Sequence, residues 1–399
     1  MNRGSASRIS LRLLRRIGAA VVAIAVGGAA SAQHIQGVTD TEIVIGAHVD
    51  LSGPIASTGS PVRDGMVFAV EGINAAGGVN GRKLRLIVED NGYDPKKAVL
   101  ATQKLLAQDK VFAIVGTLGS PTSLASMPLA VDRGVPFLFA GAASDSTYAP
   151  LHPFKFGLVT PYSEQARAEV KFAHDTLGKR RFGVLYQDDD NGLAFLRAVE
   201  TQLKTQGLAP VEVASYKRGD IDFSAQIARL KAANVDAVML GTAGARDTVG
   251  PVAEARKQGW AVDMLAGQGA STTAVIKLGG PAVEGLYATF QFLNSSQEKT
   301  PELRSTLDRF KARFGHDAED GVALGYTNIA LFAEGAKNAG RDLTPQTLSQ
   351  GLEKVKDFKT VFEGPPISYG PGNHAAPRST IIMRVQDGKY IPVTGPVTY

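Results

Sequence analysis

The chain has 399 residues, of which 44% are apolar, and its 43 basic side chains outnumber 38 acidic ones. That length and apolar share allow two medium-sized domains, each with its own hydrophobic core. The absence of cysteine excludes disulfides, thiolate metal sites and cysteine nucleophiles.

The N-terminal segment 1–32 predicts a secretory signal peptide. Five arginines and no acidic residue form its basic start, an apolar run covers 17–28, and residues 30–32 read Ala-Ser-Ala, a cleavage signal. The apolar run is shorter than the ~20 residues that a membrane span needs, so we expect cleavage before Gln33 and a periplasmic product. Without the five arginines, 38 basic residues face 38 acidic ones. The mature chain is then net neutral, and no nucleic-acid partner is predicted.

Strand and helix signals alternate along the remaining chain, with short apolar runs for buried strands and periodic apolar faces for helices. Repeated strand–helix units predict an α/β protein with two doubly wound parallel-sheet lobes. In chain order the predicted elements are a strand at 42–49, a helix at 61–76, a strand at 83–88, a helix opened by Asp94 and Pro95, strands at 111–115, 135–139 and 181–186, a helix at 193–204, a strand at 211–216, a helix at 223–233, a strand at 235–240, a helix at 246–258, a strand at 262–266, helices at 301–314 and 320–339, and a final strand pair at 379–385 and 390–393 that turns at Asp387-Gly388.

Five short segments lie in a characteristic order: DLSGP at 50–54, INAAGGVNG at 73–81, ED and DP at 89–95, VGTLGS at 115–120 and DIDFS at 220–224. In this order they resemble the type I periplasmic binding proteins of the leucine/isoleucine/valine-binding family, over about residues 41 to 395. The resemblance implies two lobes joined by three hinge crossovers, near Pro161, Phe290 and Ser368, with the ligand held between them.

The resemblance also implies a division of the chain between the lobes. Lobe 1 is expected to comprise 41–161 and 291–368. Lobe 2 is expected to comprise 162–290 and 369–399.

The loop from Gly116 to Thr122 is a candidate ligand-binding element. A buried strand runs into it, Leu118 lies within it, and Pro121 starts a helix behind it. We expect Ser120 to cap that helix, whose free N–H groups favour an anion such as a carboxylate. From the residues alone, Ser120 either holds a ligand or only caps its helix. The resemblance assigns it to the ligand carboxylate.

A second candidate contact follows the next strand, at Gly141, Ala142, Ala143 and Ser144. Amino-acid binders of the family offer a carbonyl to the ligand ammonium here and a threonine hydroxyl to the carboxylate. The resemblance matches Gly141 to the carbonyl and Ala143 to the threonine. The hydroxyl is therefore missing, unless neighbouring Ser144 replaces it.

Two lobe 2 positions depart from the family pattern. The acidic residue that faces the ligand ammonium corresponds to Gln268, and the tyrosine that covers the ligand corresponds to Asn191. A neutral amide is a weaker ammonium partner than a carboxylate. The sequence therefore favours a carboxylic acid without an α-amine, an aromatic acid in particular. A branched-chain or other amino acid remains the alternative.

Three further residues are candidates for the pocket wall. Tyr93 and Tyr162 are placed to stack against a ligand, although each also fits a structural role, and Thr58 ends the first loop. His48 is interpreted as a core histidine. The Asp188–Asp190 run is interpreted as a solvated turn, because its spacing fails the calcium-loop pattern.

The sequence favours a transport receptor that delivers a small carboxylate to the membrane permease subunits of an ABC importer. No catalytic residue, metal site or cofactor is predicted, and we expect a monomer. An enzyme on a doubly wound fold is the rival class, since fold alone does not exclude it. A ligand-sensing subunit would use the same cleft.

Overall fold

The computed structural model describes residues 35–397 apart from 292–299, 320, 363, 376 and 378, and it describes no side chain for Asp190, Gln268 or Pro396. The predicted signal peptide and its cleavage site lie outside these residues. No helix of the described part of the chain is long and apolar enough to cross a membrane.

Lobe 1 contains a five-stranded sheet in which every strand is parallel to its neighbours. Its strands, in sheet order, are β2 Lys83–Asp90, β1 Glu42–Val49, β3 Ala113–Val115, β4 Phe137–Leu138 and β5 Lys155–Phe156. The helices that pack around it are α1 Ala56–Ala75, α2 Pro95–Ala107, α3 Ser120–Val131, α9 Pro301–Phe314, α10 Gly321–Ala339 and α11 Pro345–Glu353.

Lobe 2 contains a seven-stranded sheet that is parallel except for an antiparallel ribbon at one edge. In sheet order its strands are β12 Lys389–Val397, β11 Thr380–Gln386, β10 Tyr287–Phe290, β9 Asp263–Ala266, β8 Ala237–Gly241, β6 Phe182–Gln187 and β7 Glu212–Tyr216. Its helices are α4 Tyr162–Asp175, α5 Asp190–Thr205, α6 Ser224–Ala232, α7 Ala245–Lys257 and α8 Thr273–Gly279.

The predicted fold class is confirmed, and the features on which the prediction rested, buried parallel strands and capped helices, are present in the structure. Seven of the eight residues of β1 are buried, as expected for a parallel strand covered on both faces. Asp94 caps α2, accepting hydrogen bonds from the Lys96 and Lys97 N–H groups at 2.7 and 3.1 Å, with Pro95 at the first helical position.

Helix α1 begins five residues earlier than the sequence predicts. The buried Asp50 carboxylate accepts hydrogen bonds from the N–H groups of Ser52, Gly53 and Ile55, and so ties the loop after β1 into a compact turn. The helix then starts at Ala56, and Pro61 lies inside it. Proline is common at the first helical position, which is why the sequence predicts a start at Pro61, but here it is the sixth residue and the helix lacks the hydrogen bond that its N–H would donate.

The third connection between the lobes lies later than the predicted position near Ser368. Tyr369 is part of the lobe 1 core, and its hydroxyl donates to the Gly157 carbonyl at 2.6 Å. The His374 ring stacks on Phe156 of β5, with centroids 3.7 Å apart. Residues 369–374 therefore belong with lobe 1, because they fill its core, and the expected assignment of this stretch to lobe 2 is wrong.

Candidate ligand-binding site

A cavity of about 710 Å³ lies between the two lobes. The loops that form it follow the carboxyl ends of strands in both sheets, which is where open parallel sheets bind ligands. Its lobe 1 wall includes Thr58, Tyr93, Leu118, Ser120, Gly141 and Ala143, all of which the sequence predicted as site residues. Tyr162, also predicted, lines it at the start of α4.

The loop between β3 and α3 forms one polar end of the cavity. Gly119, not Ser120, is the N-cap residue of α3, and no side chain caps this helix. The prediction that Ser120 caps the helix is therefore wrong, because Ser120 is already its first helical residue. The Ser120 side chain is buried in the cavity wall, close to the Tyr162 hydroxyl. A hydroxyl that is not used as a cap, beside the N–H groups of a helix start, suits a carboxylate.

Gly119 has a backbone conformation and a neighbour that both favour glycine. Its φ of +100° is one that L-residues rarely adopt, and a Cβ there would lie 2.8 Å from Cε2 of Tyr93. The tyrosine ring therefore lies directly against the loop. Burial raises the pKa of Tyr93 to about 12, and burial also raises the pKa of Tyr162, so both rings present neutral phenols to the cavity.

The second predicted contact is only partly in place. Gly141 and Ala143 line the cavity, and the Gly141 carbonyl accepts a hydrogen bond from the Gly119 N–H at 3.1 Å. Ala142 is buried in the lobe 1 core instead. Ser144 caps the short helical turn Asp145–Thr147, which leaves its hydroxyl engaged away from the cavity wall.

Of the two lobe 2 positions singled out from the sequence, the structure describes the side chain of Asn191 only. Asn191 lies in the first turn of α5 and is not among the described residues of the cavity wall. The backbone of Gln268 lies in a short helical turn after β9, and its side chain lies outside the described part of the structure.

An acidic residue in the lobe 2 wall was not predicted from the sequence. Asp247 lines the cavity in the first turn of α7, and its Oδ2 accepts a hydrogen bond from the Tyr216 hydroxyl at 3.3 Å. Burial raises its pKa, against the opposing effects of the Tyr216 hydrogen bond and the Arg218 charge. Asp247 lies in the first turn of the helix that follows β8, so its position after a strand was visible in the sequence, although its facing of lobe 1 was not.

Other polar groups missed from the sequence also line lobe 2. Arg218 and Asp220 follow β7, and Gln187 ends β6. Arg218 reaches across the cleft, where its guanidinium carbon lies 4.9 Å from the centroid of the Tyr93 ring. Contact between residues of opposite lobes shows that the cleft is closed in this structure.

A buried hydrogen-bonded network joins the three connections between the lobes at Thr160. Its N–H donates to Oε1 of Gln291 at 3.1 Å, and its hydroxyl donates to the carbonyl of Pro377 at 3.0 Å. Its carbonyl accepts from the Gln165 amide at 2.5 Å, and the Gln291 amide donates to the Leu158 carbonyl. Gln291 also lines the cavity. One side chain therefore lies against both the ligand space and the hinge.

His48 is a core residue, as interpreted from the sequence. Its ring is fully buried between Ser126 Oγ at 2.9 Å and Asn91 Nδ2 at 3.0 Å, and burial lowers its pKa to about 3. Asp189 of the aspartate run caps α5. The described residues contain no group of metal-binding side chains.

The sequence model of a family described as "Periplasmic binding protein" matches residues 42–389. The chain belongs to this periplasmic binding protein family. The resemblance noted in the sequence is thereby confirmed, and the members of this family are substrate-binding proteins of the ABC-transporter type.

Known relatives of this periplasmic binding protein differ in the ligands that their names give. A leucine-, isoleucine-, valine-, threonine- and alanine-binding protein of Pseudomonas aeruginosa is 27% identical over 311 residues, or 78% of this chain and 81% of the relative. An isoleucine complex of the branched-chain amino acid binding protein LivJ from Streptococcus pneumoniae has a TM-score of 0.77 at 22% identity, covering 90% of this chain and all of that one. A fatty acid ABC transporter substrate-binding protein from Thermomonospora curvata has a TM-score of 0.81 at 24% identity, covering 91% and 94%. At these identities the two structures establish the fold alone.

Proposed function

We propose that this protein is the non-enzymatic substrate-binding subunit of an ABC importer and that it captures a branched-chain or similar aliphatic α-amino acid. The observation that carries the proposal is the pairing of opposite chemistries in one cavity. Ser120 and the start of α3 suit a carboxylate, and Asp247 on the facing lobe suits an ammonium.

The sequence favours an aromatic acid because Gln268 offers no charge to an ammonium. Asp247 removes the basis of that preference, since the cavity wall holds an acidic side chain at another position. The family relatives named for leucine, isoleucine and valine support the amino-acid reading as well. We therefore adopt the amino-acid alternative.

Around the polar ends the wall is largely apolar. Leu118, Val159 and Leu324 line it from lobe 1, and Phe290 and Leu278 line it from lobe 2. Such a lining favours an aliphatic side chain over a charged or strongly polar one, because burying unpaired polar groups is unfavourable.

Two ligands of nearly equal size test the amine requirement. Leucine and 4-methylpentanoate share the same carbon chain, and only leucine carries the ammonium. We expect calorimetry to show tight binding of leucine and weak binding of 4-methylpentanoate, benzoate and cinnamate. Equal binding of leucine and 4-methylpentanoate, or tight binding of an aromatic acid alone, would contradict the amino-acid proposal and favour a carboxylate ligand without an amine.

The proposal includes export and a monomeric receptor. Intact mass of the secreted protein should correspond to a chain that begins at Gln33, and light scattering should give the mass of one chain. A secreted form that retains Met1 would contradict the predicted cleavage.

A sensory role would use the same cleft, and it is separated from transport by uptake of labelled leucine in cells that lack this protein.

A further inference from the structure

The Arg218 guanidinium lies over the Tyr93 ring across the cleft. Tyr93 belongs to the loop between β2 and α2 of lobe 1, and Arg218 belongs to the loop between β7 and α6 of lobe 2. The guanidinium carbon lies 4.9 Å from the ring centroid, within the range of a favourable cation–π contact. Because the partners lie on different lobes, the contact exists only while the lobes are close together.

Hydrogen bonds within lobe 1 fix the position of Tyr93. The Tyr93 N–H donates to Asn91 Oδ1 at 2.8 Å, and Asn91 Nδ2 contacts His48 Nδ1 at 3.0 Å and the Leu118 carbonyl at 3.1 Å. Tyr93 has a φ of +55°, which is costly for a bulky residue and persists only where surrounding contacts fix it. The ring is therefore presented to lobe 2 by a buried hydrogen-bonded base.

The lobe 2 partner is oriented by Asp189. The Arg218 guanidinium lies 3.4 Å from Asp189 Oδ2. That carboxylate is itself fixed, because its Oδ1 accepts from the Asn191 and Gly192 N–H groups at the start of α5 and its Oδ2 accepts from the Gln187 amide. A guanidinium on an exposed loop is thus directed toward the tyrosine face.

We propose that Tyr93 and Arg218 form a latch that stabilises the closed state of the cleft. The latch rests on the hinge motion that the proposed function requires, and it acts on closure whatever the ligand is. Since the contact breaks as the lobes separate, its loss should lower the ratio of closed to open protein by roughly 2-fold to 30-fold. With a ligand bound, the same loss should appear as faster release with little change in the association rate.

The cysteine-free chain allows a direct test by pulsed EPR. Spin labels are attached at Leu100→Cys, on the exposed side of α2, and at Glu200→Cys, on the exposed side of α5. Arg218→Met, Tyr93→Leu and the double variant are compared without ligand. Tyr93→Phe keeps the ring, and Lys217→Ala removes a neighbouring exposed positive charge, so both serve as matched controls.

The readout is the population of molecules whose label–label distance matches this closed structure, and loss of the latch should reduce that population. Both single variants should lose it, the double variant should lose no more than either single variant, and the two controls should keep it. Wild-type protein without that population, variants whose distributions match wild type, or additive losses in the double variant would overturn the latch. Because no ligand is added, a failure of leucine to bind would refute the proposed function and leave this measurement intact.

Discussion

Replacing Asp247 by Asn removes one negative charge from the cavity and preserves the shape of the side chain. If this carboxylate receives the ligand ammonium, the loss is that of a hydrogen bond between charged groups, about 1.5–3 kcal/mol. At about 1.4 kcal/mol for each factor of ten, leucine should bind roughly 10-fold to 150-fold more weakly. The Tyr216 hydroxyl can still donate to the amide oxygen, so the helix start should keep its structure.

The same carboxyl predicts how affinity depends on pH. Burial raises the pKa of Asp247, so its charge is lost at a higher pH than for an exposed aspartate. Below that pKa the neutral acid cannot pair with an ammonium, and leucine affinity should fall as the solution becomes more acidic. In Asp247→Asn this part of the pH dependence should disappear.

Calorimetry with leucine over pH 4 to 8 measures both effects. Asp188→Asn is the matched control, because it makes the same charge change on an exposed residue of lobe 2 that is not among the described residues of the cavity wall. The reasoning is refuted if Asp247→Asn binds leucine as wild type does, or if its affinity keeps the wild-type fall in acid.

Two further substitutions test the opposite end of the cavity and the hinge. Ser120→Ala should weaken leucine binding by about 1.5–3 kcal/mol without changing circular dichroism, and unaltered affinity would show that the hydroxyl is not a ligand contact. Thr160→Val keeps the shape of the side chain but leaves the Pro377 carbonyl without its donor, so it should destabilise the protein by about 1–3 kcal/mol in denaturant unfolding; Thr176→Val, at the exposed end of α4, is its control.

The sequence predicted most elements closely because their signals are local. The strand β1 and the helix α9 have the predicted bounds, and the turn at Asp387-Gly388 has positive φ at both residues, as a tight hairpin requires. α11 was missed although Thr344 and Thr347 form a capping box around Pro345, because its apolar face is short. A helix of nine residues has too few turns to show a clear helical periodicity in its sequence.

The candidate site was predictable in lobe 1 and much less so in lobe 2. The loop at Ser120 can be recognised as a binding loop from the sequence alone, since a buried strand, a glycine and a helix start are adjacent in the chain. Arg218 and Asp247 gain their place only from the arrangement of strands β7 and β8 in the sheet and from closure against lobe 1. The spacing of residues in the sequence does not show which loops face each other across the cleft.

A last prediction concerns Glu169, which is buried on α4 in lobe 2. Burial raises its pKa well above the ordinary value, and neither carboxyl oxygen has a hydrogen-bond partner among the described residues. Folding therefore favours the protonated acid, and the stability it contributes at low pH is lost as pH rises from the unfolded pKa to the folded one, at about 1.4 kcal/mol for each unit between them. Glu169→Gln should match wild type in calorimetric Tm near pH 4 and exceed it at pH 8, while the exposed control Glu200→Gln should follow wild type throughout. A variant less stable than wild type at pH 8 would mean that the carboxylate is ionised and paired in the folded protein.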